Sequence, residues 1–235
     1  MLEFVQVAVG EGMPLGCARC AAPVQPKYLP ADEVIASVRA VAGAWDSAPG
    51  PNIVLGGPDP FGHPELPALI AACVAAGAER IALETDAAAL SVPANADGVL
   101  RAGVRHLLVR VLDTDTTRGD AAGGRPGRTR DAIAGIRAYL SAAGESGVPV
   151  AVTATVPVCR HTAGTLSSSI AVLASLGVHA VSLVPSSNCA GVTPALIAAA
   201  CDTGMVNRLW VEVDPALPVP DSHALHAVAG EVRDA

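Results

Sequence analysis

Two cysteines that could carry chemistry, Cys17 and Cys20, stand three positions apart in a glycine-containing loop that follows the apolar run at residues 4–9. Thiolates at this spacing can chelate one metal ion or form a redox pair. Two further cysteines, Cys159 and Cys189, each follow a predicted strand, so four thiols could converge and bind Zn²⁺ or an iron–sulfur cluster. The sequence leaves open a plainer alternative, in which these are ordinary thiols of an alanine-rich chain.

Two carboxylates occupy similar places at the ends of predicted strands. Asp59 lies in a turn rich in glycine and proline, and Glu84 ends the apolar strand that comes next in the chain. Asp59 could bind an ammonium group or act as a general base, and a buried Glu84 could exchange protons with a ligand. The alternatives are a simple turn carboxylate for Asp59 and an ion pair for Glu84.

The composition narrows the classes of function and partner. The 235 residues carry a formal net charge of −7, whereas a surface for nucleic acid needs a basic excess. No apolar run reaches the roughly 18 residues that a membrane span needs. The first residues lack the basic and apolar regions of a signal peptide, and six cysteines without such a signal predict reduced thiols and a cytoplasmic location.

Short, nearly continuous apolar runs alternate with helical patterns along the chain. Seven runs are predicted to be strands, at residues 3–9, 52–55, 80–84, 106–111, 148–156, 180–184 and 208–213. Five helices are predicted between them, at residues 32–45, 64–76, 130–143, 166–176 and 194–201. Thr129 is the predicted N-cap of the third of these helices.

Strands of this apolar kind suit a parallel sheet, and their alternation with helices predicts an α/β fold. Six or seven units are too few for a complete eight-unit barrel, so we predict a partial (β/α)6-type parallel barrel that forms a single domain over residues 1–235. Residues 214–235 begin with a proline-rich stretch and are predicted to be a surface segment. A site is expected where the carboxyl ends of the strands meet their loops.

The order of these features resembles the radical S-adenosylmethionine superfamily over about residues 3–190. The matching stretches are G-M-P-L-G-C-A-R-C at residues 12–20, G-G-P-D-P at residues 56–60 and L-E-T-D-A at residues 83–87. In that family, a C-x-x-x-C-x-x-C loop holds a [4Fe–4S] cluster. A G-G-E-P turn after the second strand contacts the methionyl amino group of S-adenosylmethionine, and a T-N-G-like turn follows the third strand.

The resemblance implies roles for the residues of the cysteine loop. Cys17 and Cys20 match the second and third cluster ligands, and Met13 stands where the first cysteine belongs. A methionine thioether is neutral and binds iron–sulfur clusters far more weakly than a thiolate does. With two thiolates and one thioether, the cluster is expected to be labile or absent, and reductive cleavage of the sulfonium would then lack its electron source.

The resemblance also implies contacts with the cofactor S-adenosylmethionine. Gly57 and Asp59 fall in the turn that takes the place of G-G-E-P, and Asp59 is one methylene shorter than the usual glutamate. Further contacts with the cofactor are expected after the fourth and fifth strands, near Asp113 and near the segment from Thr153 to Thr155.

The leading hypothesis from the sequence is a barrel protein of this superfamily with an incomplete cluster motif and without conventional radical chemistry. It would bind a small molecule or a peptide, catalyse a non-radical reaction, or act as the partner of an active homologue. A second hypothesis is an active radical enzyme in which Cys17 and Cys20 are joined by an unconventional third ligand, namely Met13, Cys159 or Cys189.

Two further hypotheses come from other classes of protein. One is a zinc-dependent α/β-barrel hydrolase or isomerase that uses Asp59, Glu84 and Asp113, and it requires these three carboxylates to meet at one centre. The other is a pure interaction subunit, which requires an exposed apolar surface and a partner that co-purifies with it.

Overall fold

The computed structural model of the protein describes residues 4–12, 25–46, 48–186 and 191–218. Within these residues the strands are, in chain order, β1 (Val5–Ala8), β2 (Gly10–Glu11), β3 (Lys27–Tyr28), β4 (Asn52–Gly56), β5 (Arg80–Thr85), β6 (Val104–Arg110), β7 (Ala151–Val158), β8 (Ala180–Pro185) and β9 (Trp210–Val213). The α-helices are α1 (Ala31–Gly43), α2 (Leu66–Ala75), α3 (Pro93–Arg101), α4 (Thr116–Gly123), α5 (Arg128–Ser146), α6 (Leu166–Ser175) and α7 (Pro194–Val206).

Seven of the strands form one parallel sheet, and each of them lies beside its predecessor in the order β1-β4-β5-β6-β7-β8-β9. Strands β2 and β3 form a separate antiparallel pair. Because right-handed crossovers that always advance in one direction place their helices on one face, this order builds a barrel wall rather than a doubly wound sheet. Strands β1 and β9 are its two edges, so the barrel is open. The predicted partial barrel of parallel strands is confirmed.

The burial of side chains along the strands distinguishes the two faces of the sheet. On β7, Val152, Ala154, Val156 and Val158 are buried against the helices, and the alternating residues between them are only half-buried. We call the less buried face, which is not covered by helices, the open face. Its polar side chains include Gln6, Glu84, Arg110, Thr155, Ser182 and Glu212.

The helices bury their apolar stripes on the other face of the sheet. In α2 the buried stripe is formed by Leu66, Leu69, Ile70 and Cys73, as the spacing of these residues predicts. Val74 follows Ile70 by four positions, a spacing that predicts the same stripe, but it is 54% exposed because it lies on the solvent side of the helix.

The start of α5 differs from the prediction. Gly127, and not Thr129, is the N-cap of this helix, and Thr129 lies within its first turn. Asp120 of α4 accepts hydrogen bonds from the backbone N–H groups of Gly127 and Thr129. A carboxylate from the preceding helix therefore supplies the cap that a threonine side chain was predicted to supply.

The segment after β9 is described only in part. The backbone N–H of Asp214 donates to the carbonyl oxygen of Leu183, and Leu217 is buried in the core. The rest of the predicted surface segment, residues 219–235, lies outside the described residues. Among the helices of the described residues, none is long and apolar enough to cross a membrane.

Candidate functional site

The carboxyl ends of β4, β5 and β6 carry four acidic residues, which are Asp59, Glu84, Asp86 and Asp113. In parallel α/β folds this edge of the sheet is where ligands bind. The contacts of each carboxylate therefore decide which of the roles predicted from the sequence it can fill.

Two glycines allow the chain to turn sharply where β4 ends. A Cβ atom at Gly56 would lie 2.5 Å from Oε2 of Glu84 and 2.7 Å from Nε2 of Gln6, so a side chain there would displace these two groups. Gly57 has a φ of +96°, which residues with a side chain rarely adopt. The glycines of the predicted cofactor turn therefore serve its own geometry and the packing of Glu84.

The Asp59 carboxylate holds two turns together. Its Oδ1 accepts a hydrogen bond from the backbone N–H of Phe61 at 3.0 Å, and its Oδ2 accepts one from Oγ1 of Thr85 at 2.8 Å and one from the backbone N–H of Asp86 at 3.0 Å. Burial, followed by the nearby charge of Asp86, raises the pKa of Asp59 from 3.8 to about 6, although these hydrogen bonds oppose the shift. The side chain of Asp59 is thus a clamp between the two turns.

Replacement of Asp59 by asparagine is expected to change how stability depends on pH. The folded protein binds the Asp59 proton up to about pH 6, whereas an unfolded chain releases it near pH 4, so this stabilisation is present below pH 4 and is lost as the pH rises through 6. The free energy of unfolding of the wild type, relative to Asp59→Asn, should fall by up to about 3 kcal/mol between pH 4 and 7. Urea unfolding at a series of pH values measures this difference, and a constant difference would contradict the assignment.

Glu84 lies on the open face and forms an ion pair, which is the plainer of the two alternatives that the sequence leaves open. Its Oε1 accepts hydrogen bonds from Nε of Arg110 at 2.8 Å and from Nη2 of the same guanidinium. Its Oε2 accepts from Nε2 of Gln6 at 2.9 Å and from the backbone N–H of Gly57 at 3.4 Å. The side chains of Glu84 and Arg110 are each 17% exposed, so a ligand on the open face can still reach this pair.

Asp86 forms a second ion pair, with Arg128. Nε and Nη2 of Arg128 both donate to Oδ2 of Asp86 at 3.0 Å, and the two side chains are 12% and 13% exposed. The next residue, Ala87, has a φ of +63°. The T-N-G-like turn has glycine at this position, so the left-handed conformation of Ala87 agrees with that part of the resemblance.

Asp113 is buried among protein donors. It accepts hydrogen bonds from Nε of Arg118 at 2.9 Å, from Oγ1 of Thr165 at 3.1 Å and from the backbone N–H of Asp115 at 2.8 Å. Its side chain is only 2% exposed. Asp113 therefore fixes the loop between β6 and α4.

Thr153 lies in the first half of β7 and not at its carboxyl end. Its Oγ1 is 2.9 Å from Nε2 of His106. Burial, followed by the positive charges of His179 and Arg80, lowers the pKa of His106 to about 4. The structure thus places Thr153 against a buried, neutral imidazole and away from the turn that contains Asp59.

The predicted metal ligands fall into two groups. Met13, Cys17, Cys20 and Cys189 lie outside the described residues. Cys159 directly follows β7, is 1% exposed, and its Sγ accepts a hydrogen bond from the backbone N–H of His161 at 3.4 Å.

The zinc hypothesis required three carboxylates at one centre. Asp59, Glu84 and Asp113 each bond to a separate set of protein donors. Among residues 4–12, 25–46, 48–186 and 191–218, no group of three histidine, cysteine or acidic residues is arranged to hold a metal ion. The geometry of the described residues therefore offers this hypothesis no support.

Several residues of the site were not singled out from the sequence. Arg110 could have been found, because strand alternation places it on the same face as its neighbour Leu108 and next to the strand that ends with Glu84. The carboxylate that Arg128 bonds could not be identified, because nothing local in a basic loop points to a partner 42 residues away. Ser182 and Glu212, which have no side-chain partner among the described residues, were missed because β8 and β9 were treated as buried on both faces.

Comparisons of sequence and of structure give different results. A scan of family models finds no match, and no curated protein matches the sequence. Solved structures do match: SuiB of Streptococcus suis bound to S-adenosylmethionine aligns with a TM-score of 0.66 and 11% identity over 91% of this chain. The chain spans only about half the length of SuiB, since the alignment covers 51% of that protein.

Two other structures align with the same fold. TsrM of Kitasatospora setae, a radical S-adenosylmethionine methyltransferase with cobalamin and a [4Fe–4S] cluster bound, aligns with a TM-score of 0.54 and 13% identity over 77% of this chain and 36% of its own. Methylornithine synthase, PylB, aligns with a TM-score of 0.56 and 12% identity over 94% of this chain and 73% of its own. The chain therefore has the fold of the radical S-adenosylmethionine enzymes, as the order of its sequence motifs implied.

Proposed function

We propose that this protein binds S-adenosylmethionine or a related small ligand at the turn after β4 and does not cleave it by one-electron chemistry. The observation that carries the proposal is a contrast between fold and ligands. The fold is that of the radical S-adenosylmethionine enzymes, but the sequence offers Met13, Cys17 and Cys20 where that family has three cysteines.

The donor set does not fit a stable [4Fe–4S] cluster. In the family, three thiolates hold three irons, and the fourth iron is left open for the sulfonium cofactor. A thioether in place of one thiolate contributes neither the negative charge nor the bond strength that this cluster needs. Cys159 is an unsuitable substitute because it is buried and hydrogen-bonded within its own turn.

The turn after β4 supports binding of a cofactor without a cluster. Asp59 clamps this turn to the end of β5, and Glu84 bonds to the backbone N–H of Gly57. The backbone of the turn is therefore held in one conformation before any ligand arrives, which reduces the entropic cost of binding. A ligand there would lie beside the Glu84–Arg110 pair on the open face.

The remaining role is a non-radical reaction or partnership with an active homologue. SuiB has been crystallised with its precursor peptide SuiA, and TsrM with a tryptophan substrate. By analogy, we propose that the second ligand on the open face is a small molecule of the amino-acid class or a peptide.

Metal analysis and calorimetry test this proposal together. After anaerobic purification and reconstitution with iron and sulfide, we expect well below the about four irons per chain of a [4Fe–4S] cluster. Calorimetry should detect S-adenosylmethionine binding that is lost in Gly57→Val, since a valine cannot adopt the conformation of this turn. Stoichiometric cluster in the wild type would instead favour an active radical enzyme with Met13 or Cys189 as the unconventional ligand, and absence of binding would reject the cofactor site.

A further inference from the structure

A row of polar side chains crosses the open face at the carboxyl end of the barrel. Strand register pairs Arg110 of β6 with Thr155 of β7, Thr155 with Ser182 of β8, and Ser182 with Glu212 of β9. Neighbouring strands lie about 4.8 Å apart, so the row is about 14 Å long. It begins at the Glu84–Arg110 pair and ends on the edge strand.

The charged residues at the two ends of this row differ in whether they have a bonding partner. Arg110 is paired with Glu84. At the other end, Thr155, Ser182 and Glu212 make no side-chain hydrogen bond or ion pair with any other residue that the structure describes. Within the described part of the chain, Glu212 therefore has no cationic partner, whereas Glu84, Asp86 and Asp113 are each bonded to an arginine.

An indole ring lies next to this carboxylate. Trp210 precedes Glu212 by two positions on β9, so both side chains project from the same face of the sheet. Trp210 pairs in register with Ala180, whose methyl group leaves space beside the ring, and the tryptophan is 41% exposed. A tryptophan face next to a carboxylate attracts an organic cation both by charge and by the quadrupole of the ring.

We infer that the β8–β9 end of the open face binds the ammonium or guanidinium group of a ligand between Glu212 and Trp210, with the Ser182 hydroxyl as a further acceptor. This inference rests on the proposed function in one respect, which is that ligands bind on the open face. It specifies the substrate class: a small molecule or peptide side chain that carries a basic group. Neutral and anionic analogues of the same length should not bind.

Tryptophan fluorescence measures this binding directly, because the chain contains only two tryptophans, Trp45 and Trp210. In a Trp45→Phe background, Trp210 is the sole indole reporter. Titration with putrescine should give a saturable change in emission, whereas 1-butanol and glutarate at equal concentration should not. Neither S-adenosylmethionine nor iron is present, so the result is independent of the calorimetric test of the cofactor site.

Two matched variants test whether the change in Trp210 fluorescence comes from binding at the inferred site. Glu212→Gln should weaken putrescine binding by at least about threefold, the value of one exposed charge pair. Glu33→Gln, which removes an exposed carboxylate of α1 on the helical side, should leave the titration unchanged. Circular dichroism checks that each variant is folded. An absent response, an equal response to glutarate, or undiminished binding in Glu212→Gln would each overturn the inference.

Discussion

Replacement of Met13 by cysteine is expected to raise the iron content of the anaerobically reconstituted protein from well below stoichiometric to about four irons per chain, with an absorption band near 400 nm. The variant restores the third thiolate at the position that the C-x-x-x-C-x-x-C spacing requires, with Cys17 and Cys20 already in place. The fold is shared with TsrM, a structure with a [4Fe–4S] cluster bound. Iron and sulfide analysis with absorption spectra is the measurement.

Two controls separate a specific cluster from adventitious iron. Adding Cys17→Ala to Met13→Cys should abolish the gain, because only two thiolates would remain in the loop. Met13→Leu should behave as the wild type does, since it removes the thioether without adding a thiolate. If Met13→Cys stays free of cluster, the single missing thiolate is not what distinguishes this chain, and the cluster argument fails.

The substitution Arg128→Met is expected to cause the largest loss of stability among single changes at the site, about 3 kcal/mol in the free energy of unfolding. It would leave Asp86, whose side chain is 13% exposed, as an unpaired buried charge beside Asp59. The desolvation cost of that charge, rather than the lost attraction, accounts for most of the effect. Urea unfolding at pH 7 measures it.

The double variant Asp86→Asn with Arg128→Met should recover much of this loss, because a neutral amide no longer needs a cation. The amide oxygen of asparagine can still accept the hydrogen bond from the backbone N–H of Ala88. Arg130→Met is the matched control on the same helix. Its pair with Asp131 is 76% and 34% exposed, so its removal should cost less than about 0.5 kcal/mol. Similar losses in the free energy of unfolding for Arg128→Met and Arg130→Met would show that the Asp86–Arg128 pair does not behave as a buried ion pair.

The sheet could be predicted from the sequence because parallel strands buried by helices are short, apolar and β-branched. All seven strands of the sheet were found. Helix α3 was missed because P-A-N-A-D-G-V-L-R contains residues of low helix propensity, and the helix is stabilised by burial of Ala96, Val99 and Leu100. Helix α4 was missed for a similar reason, since T-T-R-G-D-A-A-G shows little apolar periodicity.

The site could be predicted only to the level of which residues lie near it. Asp59 and Glu84 were found because they directly follow or end strands whose carboxyl ends share one edge. The partner of Asp59 could not be predicted, since the bond from Thr85 to Asp59 joins residues 26 positions apart. This bond changed the interpretation of Asp59 from a ligand group to a clamp.

The most direct test of the account is a cleavage assay on the wild-type protein, prepared without oxygen, reconstituted with iron and sulfide, and given dithionite and S-adenosylmethionine. We predict that no 5′-deoxyadenosine forms, because Met13 cannot supply the third thiolate that the cluster needs. Catalytic release of 5′-deoxyadenosine that disappears in Cys17→Ala would contradict the account and show that a complete, redox-active cluster assembles despite Met13.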